Sequence, residues 1–490
     1  MKIILLFTIM LPVIAGVSLR LSDIDNRKQV HNFALVILAL NLVLTLIINF
    51  FGYGQNCTIL NLAMGLNISF KADWLAVFAS TIFAVVWLLV GIYNREYLKY
   101  EGNEKNFTCY YLMSMGAVTG VVYAANPFTF YTFFELMSLT SFVLVLNSRT
   151  KESIAAAKRY IYYSIFGALC GLAAIMAFYG SNLIKVKEFV PGGSLVRELG
   201  GRMPIVAVIV FIAILGFSCK AGLFPMHSWL PVAYPEAPAS ASAVLSGVIA
   251  KTGIIAIIRI VYFVVGADVI RGTWVQLVFL VLATITIFTG SMMAYKEKLL
   301  KRRLAYSSVS QVSYALFGVM TLSTMGLIGA LLQIVFHALA KVALFLVSGM
   351  VISQSGKKYV DQITGLGHAM PATFAFLTIA GLSLAGVPFT GGFISKYFLV
   401  QSALAGNFGT VEFIGFIIVM VSALLTGGYM LSISAKALFA HKDMVVAEKC
   451  EAPLTMVVPV GIVTALIIIL GVCPNFVVDM ITNVVATLAI

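Results

Sequence analysis

The chain has 490 residues, 61% of them hydrophobic and only 10% charged, a balance far outside the soluble range that marks an integral membrane protein. Its net charge of +13 sits in short loops between apolar runs, so it reads as positive-inside topology rather than as nucleic-acid binding, with contact to lipid headgroups as the lesser alternative. The six cysteines (Cys57, Cys109, Cys170, Cys219, Cys450, Cys473) form no C-x-x-C pair. The five histidines (His31, His227, His337, His368, His441) are not placed to bracket a haem, so no cofactor, metal or redox centre is expected.

The fold class expected is an all-α polytopic membrane protein with about 14 transmembrane helices, since a span needs about 20 apolar residues. In chain order these are 3–19, 31–51, 72–93, 109–125, 127–147, 158–179, 203–223, 239–263, 274–295, 305–322, 325–352, 371–402, 411–437 and 453–475. Residues 1–490 form a single transmembrane domain. The start, Met1-Lys2-Ile3-Ile4-Leu5-Leu6-Phe7, has a signal peptide's basic and apolar regions but no small-x-small cleavage site, and is expected to remain as the first span. The chain ends soon after the last span, with no long amphipathic extension expected.

Spans seven and twelve are interrupted. One carries Gly216-Phe217-Ser218-Cys219-Lys220-Ala221-Gly222-Leu223-Phe224-Pro225, the other Ala385-Gly386-Val387-Pro388-Phe389-Thr390-Gly391-Gly392-Phe393-Ile394-Ser395-Lys396. Proline and glycine free backbone groups that must be met by protein or a wet cavity, and a matched pair of broken helices in two halves of a chain points to a transporter's ion site. Residues 224–238, rich in proline, either complete span seven or link it to span eight.

Loop charge sets the orientation. Loops after odd-numbered spans carry nineteen Lys and Arg (among them Arg95, Lys99, Lys296, Lys301, Lys357 and Lys442), and loops after even-numbered spans carry six (Lys71, Lys185, Lys187, Arg197, Arg202, Arg271). This places the odd-following loops in the cytoplasm and both termini on the non-cytoplasmic side of the cell (plasma) membrane. The chain contains no Walker loop, so ATP is not its driver.

Ionisable side chains inside spans cost about 2.5–3.5 kcal/mol each even on the lenient insertion scale and mark function by default. Glu135 lies mid-span, where a carboxylate is protonated or paired with a cation; Lys220 suits it by type, and a purely structural ion pair is the competing reading. Lys251 is near the middle of span eight. His337 and Lys341 share a face of span eleven through their i, i+4 spacing, and Lys396 follows the second break. Desolvation and like charge disfavour the ammonium form of such amines, so Glu135, Lys220, Lys251, His337, Lys341 and Lys396 read as a proton relay. His227 is either a gate or a structural cap beside Trp229. Lys436 reads as interfacial, and Asp73 and Arg159 as anchors at span ends.

With these residues the chain resembles the antiporter-like proton-conducting membrane proteins: the large membrane-arm components of respiratory complex I, the A-type and D-type components of Mrp antiporters, and their counterparts in membrane-bound hydrogenases. The resemblance covers roughly residues 70–440 and is most specific from Lys220 through Pro225-Met226-His227-Ser228-Trp229-Leu230-Pro231 to Lys251-Thr252-Gly253. It implies two inverted five-helix repeats, about 109–263 and 274–437, a Glu135–Lys220 pair, and transfer through Lys251, His337 and Lys341 to Lys396. It also implies other membrane subunits as partners in a hetero-oligomeric complex. Two departures stand out: Val232 and Tyr234 occupy places where many relatives have an acidic or polar residue and a histidine, and Lys396 stands where one branch of complex I components has glutamate. A D-type Mrp antiporter component or a hydrogenase-type homologue fits better than the largest complex I paralogue.

The expected function is H+ translocation by a subunit with no redox catalysis of its own. The alternatives are a sodium-conducting antiporter subunit, disfavoured because one carboxylate faces four lysines, and a quinone-associated membrane subunit, for which there is no motif.

Overall fold

A computed structural model describes the chain except for residues 63–65, 182, 185, 196–199, 407, 440–448 and 489–490. Lys185, Arg197, His441 and Lys442, used in the charge and histidine readings, lie outside the described residues.

The chain opens with two helices, α1 (Lys2–Leu21) and α2 (Arg27–Phe51), followed by an antiparallel hairpin of β1 (Asn56–Asn61) and β2 (Asn67–Lys71) in which Asn56 faces Lys71. The hairpin adds to the expected helices; its segment is too short and too polar to read as a span. Then come α3 (Trp74–Glu101), α4 (Glu104–Tyr123), α5 (Pro127–Val145), α6 (Lys151–Gly180) and α7 (Met203–Ala221). Polar side chains begin several of them: Asp73 accepts from the Ala76 N–H at 2.9 Å, Asn126 from Thr129 at 2.7 Å and Thr150 from Ser153 at 3.1 Å. Such caps satisfy donors that the bilayer cannot.

After α7 the chain turns through a 3-10 segment, Met226–Trp229, into α8 (Leu230–Glu236). Residues 224–238 therefore continue the seventh span as its second half, together forming a membrane-length stretch, Met203–Glu236. The eighth is one continuous helix, Ala239–Val265, made of α9 (Ala239–Val244), a π turn at Leu245–Ile249, α10 (Ala250–Ile258) and a second π turn at Arg259–Val265.

The second half runs through the short α11 (Ala267–Ile270), α12 (Trp274–Lys296), α13 (Leu300–Met320), α14 (Thr324–Ser355) and the short α15 (Leu366–Ala369). The twelfth predicted span is two helices, α16 (Pro371–Ala385) and α17 (Gly391–Leu404). α18 (Thr410–Leu438), α19 (Leu454–Val472) and a further helix beyond the expected spans, α20 (Asn475–Ala486), complete the chain. Among the described residues, eleven helices are long and apolar enough to cross a membrane. The protein is a mostly helical, multi-pass membrane protein. α4 and α13 are absent from the eleven, and both carry many hydroxyl and charged groups.

Two helices form the axis. The apolar stretches of α14 and of Ala239–Val265 are wholly buried within the protein, whereas those of α2 and α18 are mostly on its surface. α14 packs on α3, α9, α13, α16, α17 and α19, so its polar groups face protein and not lipid.

The segments sort by parity. One cleft is lined from the end of α3, the α5–α6 turn, the end of α8, the start of α13 and the segment after α14. Another, lined by Tyr53, Lys71, Phe189, Pro191 and Thr487, gathers the segments after α2 and α6 and the end of α20. Connections that follow odd and even predicted spans thus meet in separate clefts.

Candidate functional site: a buried series of amines

Both helix breaks are built alike. Gly222 (φ 81°) and Gly386 (φ 86°) take the left-handed conformation that glycine adopts without penalty. After each, the next N–H reaches back five residues: Leu223 to the Ser218 carbonyl and Val387 to the Leu382 carbonyl, both at 3.1 Å. These are Schellman turns, which stop a helix while satisfying part of its carbonyl end. Lys220 stands two residues before the first break, and Lys396 lies one turn into the helix after the second.

Lys220 is 2% exposed. Its amine donates to Ser138 Oγ at 2.9 Å, Tyr160 OH at 2.6 Å and Ser164 Oγ at 3.1 Å, and lies 4.4 Å from the Tyr160 ring centroid. Tyr160 OH is also 2.6 Å from Ser141 Oγ. No ion pair joins Glu135 and Lys220 among the described residues; hydroxyls from α5 and α6 hold the amine. Glu135 is half-buried, its Oε1 has no hydrogen-bond partner, and it remains within electrostatic reach of Lys220. Three hydroxyls satisfy the amine's three donors, which leaves the carboxylate free.

Lys251, 1% exposed, donates to the Ser246 carbonyl. That carbonyl lies in the π turn, where the helical ladder is altered and the site is open to such a contact. Two residues on, a Cβ at Gly253 would meet the Phe217 carbonyl at 2.8 Å and the Ala221 nitrogen at 2.9 Å, so α10 lies directly against the Lys220 end of α7. Ser246 Oγ is 2.8 Å from Ser308 Oγ of α13.

Lys341, fully buried, donates to the Leu304 carbonyl at 2.9 Å and to Ser307 Oγ. His337, 2% exposed, has an Nε2 with no partner and lies within electrostatic range of Lys251, Lys341 and Lys396. Lys396, 7% exposed, donates to the Leu384 carbonyl at 2.9 Å and lies 5.4 Å from the Tyr314 ring centroid. The structure thus gathers Lys251, His337, Lys341 and Lys396 around α13 and α14, with Lys220 on the neighbouring helix and Glu135 at its edge.

Sequence reasoning missed the groups between the amines. Gln333 Nε2 donates to Gln311 Oε1 at 2.8 Å, and Ser395 Oγ donates to Gln333 Oε1 at 2.7 Å. Their signal was present: the run Ser307-Ser308-Val309-Ser310-Gln311-Val312-Ser313 is too polar for a helix that faces lipid. Also missed was Arg259, 1% exposed in Ala239–Val265 and paired with Asp73 at 2.5 and 2.9 Å. Its guanidinium stacks on Phe189 and Phe263, 4.9 and 4.6 Å from their centroids. Asp73 is an anchor, as expected, and caps α3 as well.

The remaining expectations divide. Lys436 is exposed and paired with Asp361, and this hydrogen bond holds the Asp361 carboxyl below the usual carboxylate range. His227 Nδ1 has no hydrogen-bond partner, and the neighbouring Trp229 Nε1 donates to the Cys219 carbonyl at 2.9 Å; the His227 position tests neither of its two readings. Its ring stacks on Phe224 and lines a cleft with Arg159 and Arg302.

Comparison with known proteins agrees with this architecture. The profile described as NADH:quinone oxidoreductase/Mrp antiporter, TM, matches residues 124–426. NADH-quinone oxidoreductase subunit N of Desulforudis audaxviator is 31% identical, covering 78% of this chain and 79% of that one. Na(+)/H(+) antiporter subunit A1 of Staphylococcus aureus is 30% identical over 84% of this chain, and hydrogenase-4 component B of Escherichia coli 28% over 83%. The match spans only 53% of the antiporter subunit and 62% of the hydrogenase component. In fold, a chain of the Mrp complex from Dietzia sp. superposes with a TM-score of 0.83 at 21% identity, covering 100% of this chain and 98% of that one. One from Thermus thermophilus respiratory complex I gives 0.80 at 19%, covering 99% of each. The chain belongs to the NADH:quinone oxidoreductase/Mrp antiporter family of antiporter-like membrane subunits.

Proposed function

We propose that this chain is the proton-translocating subunit of a multisubunit membrane complex, moving H+ along Glu135, Lys220, Lys251, His337, Lys341 and Lys396. One observation carries the reading: His337, with an unpartnered ring nitrogen, lies one turn from the fully buried Lys341 on α14, the buried helix at the protein's centre. Buried like charges destabilise one another's protonated forms, so a proton arriving at one amine favours departure from the next. The hydroxyls and amides between them both accept and donate hydrogen bonds and suit a relay. A structural role leaves such a concentration of buried amines without a purpose, because an apolar core of the same volume costs less.

On this reading the chain has fourteen spans, with repeats at about 109–263 and 274–437 related by inversion. The like-built breaks at Gly222 and Gly386 support that relation. Both termini lie outside the cell membrane, and the partners are further membrane subunits, as for the named complexes of its relatives. Sodium is the weaker cargo, since it prefers oxygen ligands and the series offers one carboxylate. The test is proton flux in vesicles holding the intact complex, with each relay residue replaced in turn.

A further inference from the structure

We propose that the cleft between α3, α8 and α13 is the chamber from which protons reach the central amines, with Lys301 as the first transfer group. The proposal rests on the relay reading above and adds its access route. The cleft measures about 250 Å³ and is lined by Tyr97, Glu101, Glu236, Lys301 and Lys358. At about 30 Å³ per water, it holds several. Its walls come from the segments that carry the odd-following, basic loops.

Lys301 is 7% exposed and donates to the Pro235 carbonyl at 2.8 Å and to the Ala237 carbonyl. These acceptors sit at the carbonyl end of α8, which lacks helical donors and favours a cation. Across the cleft, Tyr97 OH is bonded to the Glu101 carboxylate and accepts from the Ala239 N–H at 3.0 Å, tying the acid to the first residue of α9. Glu101 and Glu236 give the chamber two carboxylates that draw cations inward, with Lys301 and Lys358 opposing them.

From Lys301 the inward route is one face of α13. Leu304, three residues on, presents the carbonyl that accepts from Lys341, and Ser307 contacts the same amine. Ser308, seven residues on, meets Ser246, whose carbonyl holds Lys251. Seven residues of helix advance about 10 Å, so two turns connect the chamber to both central lysines. Ser240 Oγ, next in the chain to Ala239, is buried without a partner.

The test uses the complete complex in vesicles, with an entrapped pH dye. Ser148, a cleft-lining residue outside the relay, is replaced by Ser148→Cys after removal of the six native cysteines, and is then labelled with a bulky, membrane-impermeant thiol reagent. Labelling from the cytoplasmic face is expected to slow proton flux on the order of tenfold; Lys301→Met is expected to match it, with Lys301→His partly restoring the rate. Fully labelled, assembled Ser148→Cys protein at the unlabelled rate overturns the proposal, whether or not Lys301→Met assembles. Lys341→Ala in the same assay separates the two claims. If it abolishes flux while the labelled cleft does not slow it, the relay stands and this chamber is not its access. If Lys341→Ala leaves flux intact, the relay reading itself fails.

Discussion

The amine of Lys396 donates a 2.9 Å hydrogen bond to the carbonyl oxygen of Leu384, so a lysine of α17 caps the carbonyl end of α16. The last carbonyls of a helix lack intrahelical donors and carry the negative end of its dipole. The contact therefore holds a cation at the break without any carboxylate, and it tolerates a neutral amine as well.

This makes Lys396 a discriminating position. Lys396→Arg keeps the charge but cannot release a proton at physiological pH. It is expected to be nearly as impaired as Lys396→Ala, while Lys396→Glu retains more flux because a buried carboxyl titrates. Proton flux of the three variants, each assembled, checks this; an active Arg variant beside an inactive Glu variant indicates a fixed electrostatic role.

Gly392 is a packing constraint beside the same lysine. A Cβ there would lie 1.8 Å from the Ser383 carbonyl oxygen, a backbone atom that cannot rotate away. Gly392→Ala is expected to destabilise by about 1–3 kcal/mol, as overpacking does, and to lower the melting temperature of the detergent-solubilised complex. An unchanged melting temperature would show that the two half-helices part easily.

That the chain is a mostly helical, multi-pass membrane protein was legible because bilayer thickness dictates apolar length. That Lys220, Lys251, Lys341 and Lys396 are buried was legible because such a residue in an apolar run must face protein. Which atoms meet was not. Charge type alone suggested Glu135 for Lys220, but the partners are Ser138, Tyr160 and Ser164, hydroxyls common in any membrane helix. Arg259 escaped notice because it lies near the end of an apolar run, where an arginine usually reaches the headgroups. Its partner Asp73 is 186 residues away. The hairpin at 56–71 and α20 lack the length signal that reveals a span.

Arg259 and Asp73 provide a structural contrast to the relay. Removing one partner leaves a buried charge uncompensated, whereas removing both does not. Asp73→Asn is expected to destabilise by about 3 kcal/mol, and Asp73→Asn with Arg259→Met by less. Thermal unfolding of the single and double variants measures this. Equal losses in the two would indicate that the ion pair contributes little.

Orientation is tested by thiol labelling. A single cysteine placed at Lys298, in the turn between α12 and α13, is expected to react from the cytoplasmic side, and Cys57 from the other, after the remaining cysteines are removed. Labelling of both from one side would overturn the alternating topology.

The claim that buried amines carry the proton is tested most directly by flux through the complete complex, purified through this chain and reconstituted with an entrapped pH dye. Assembly is verified first by native gel. Lys220→Ala and Lys341→Ala are each expected to abolish proton movement under an imposed gradient while leaving the complex intact. Near-normal flux through either assembled variant would contradict the account.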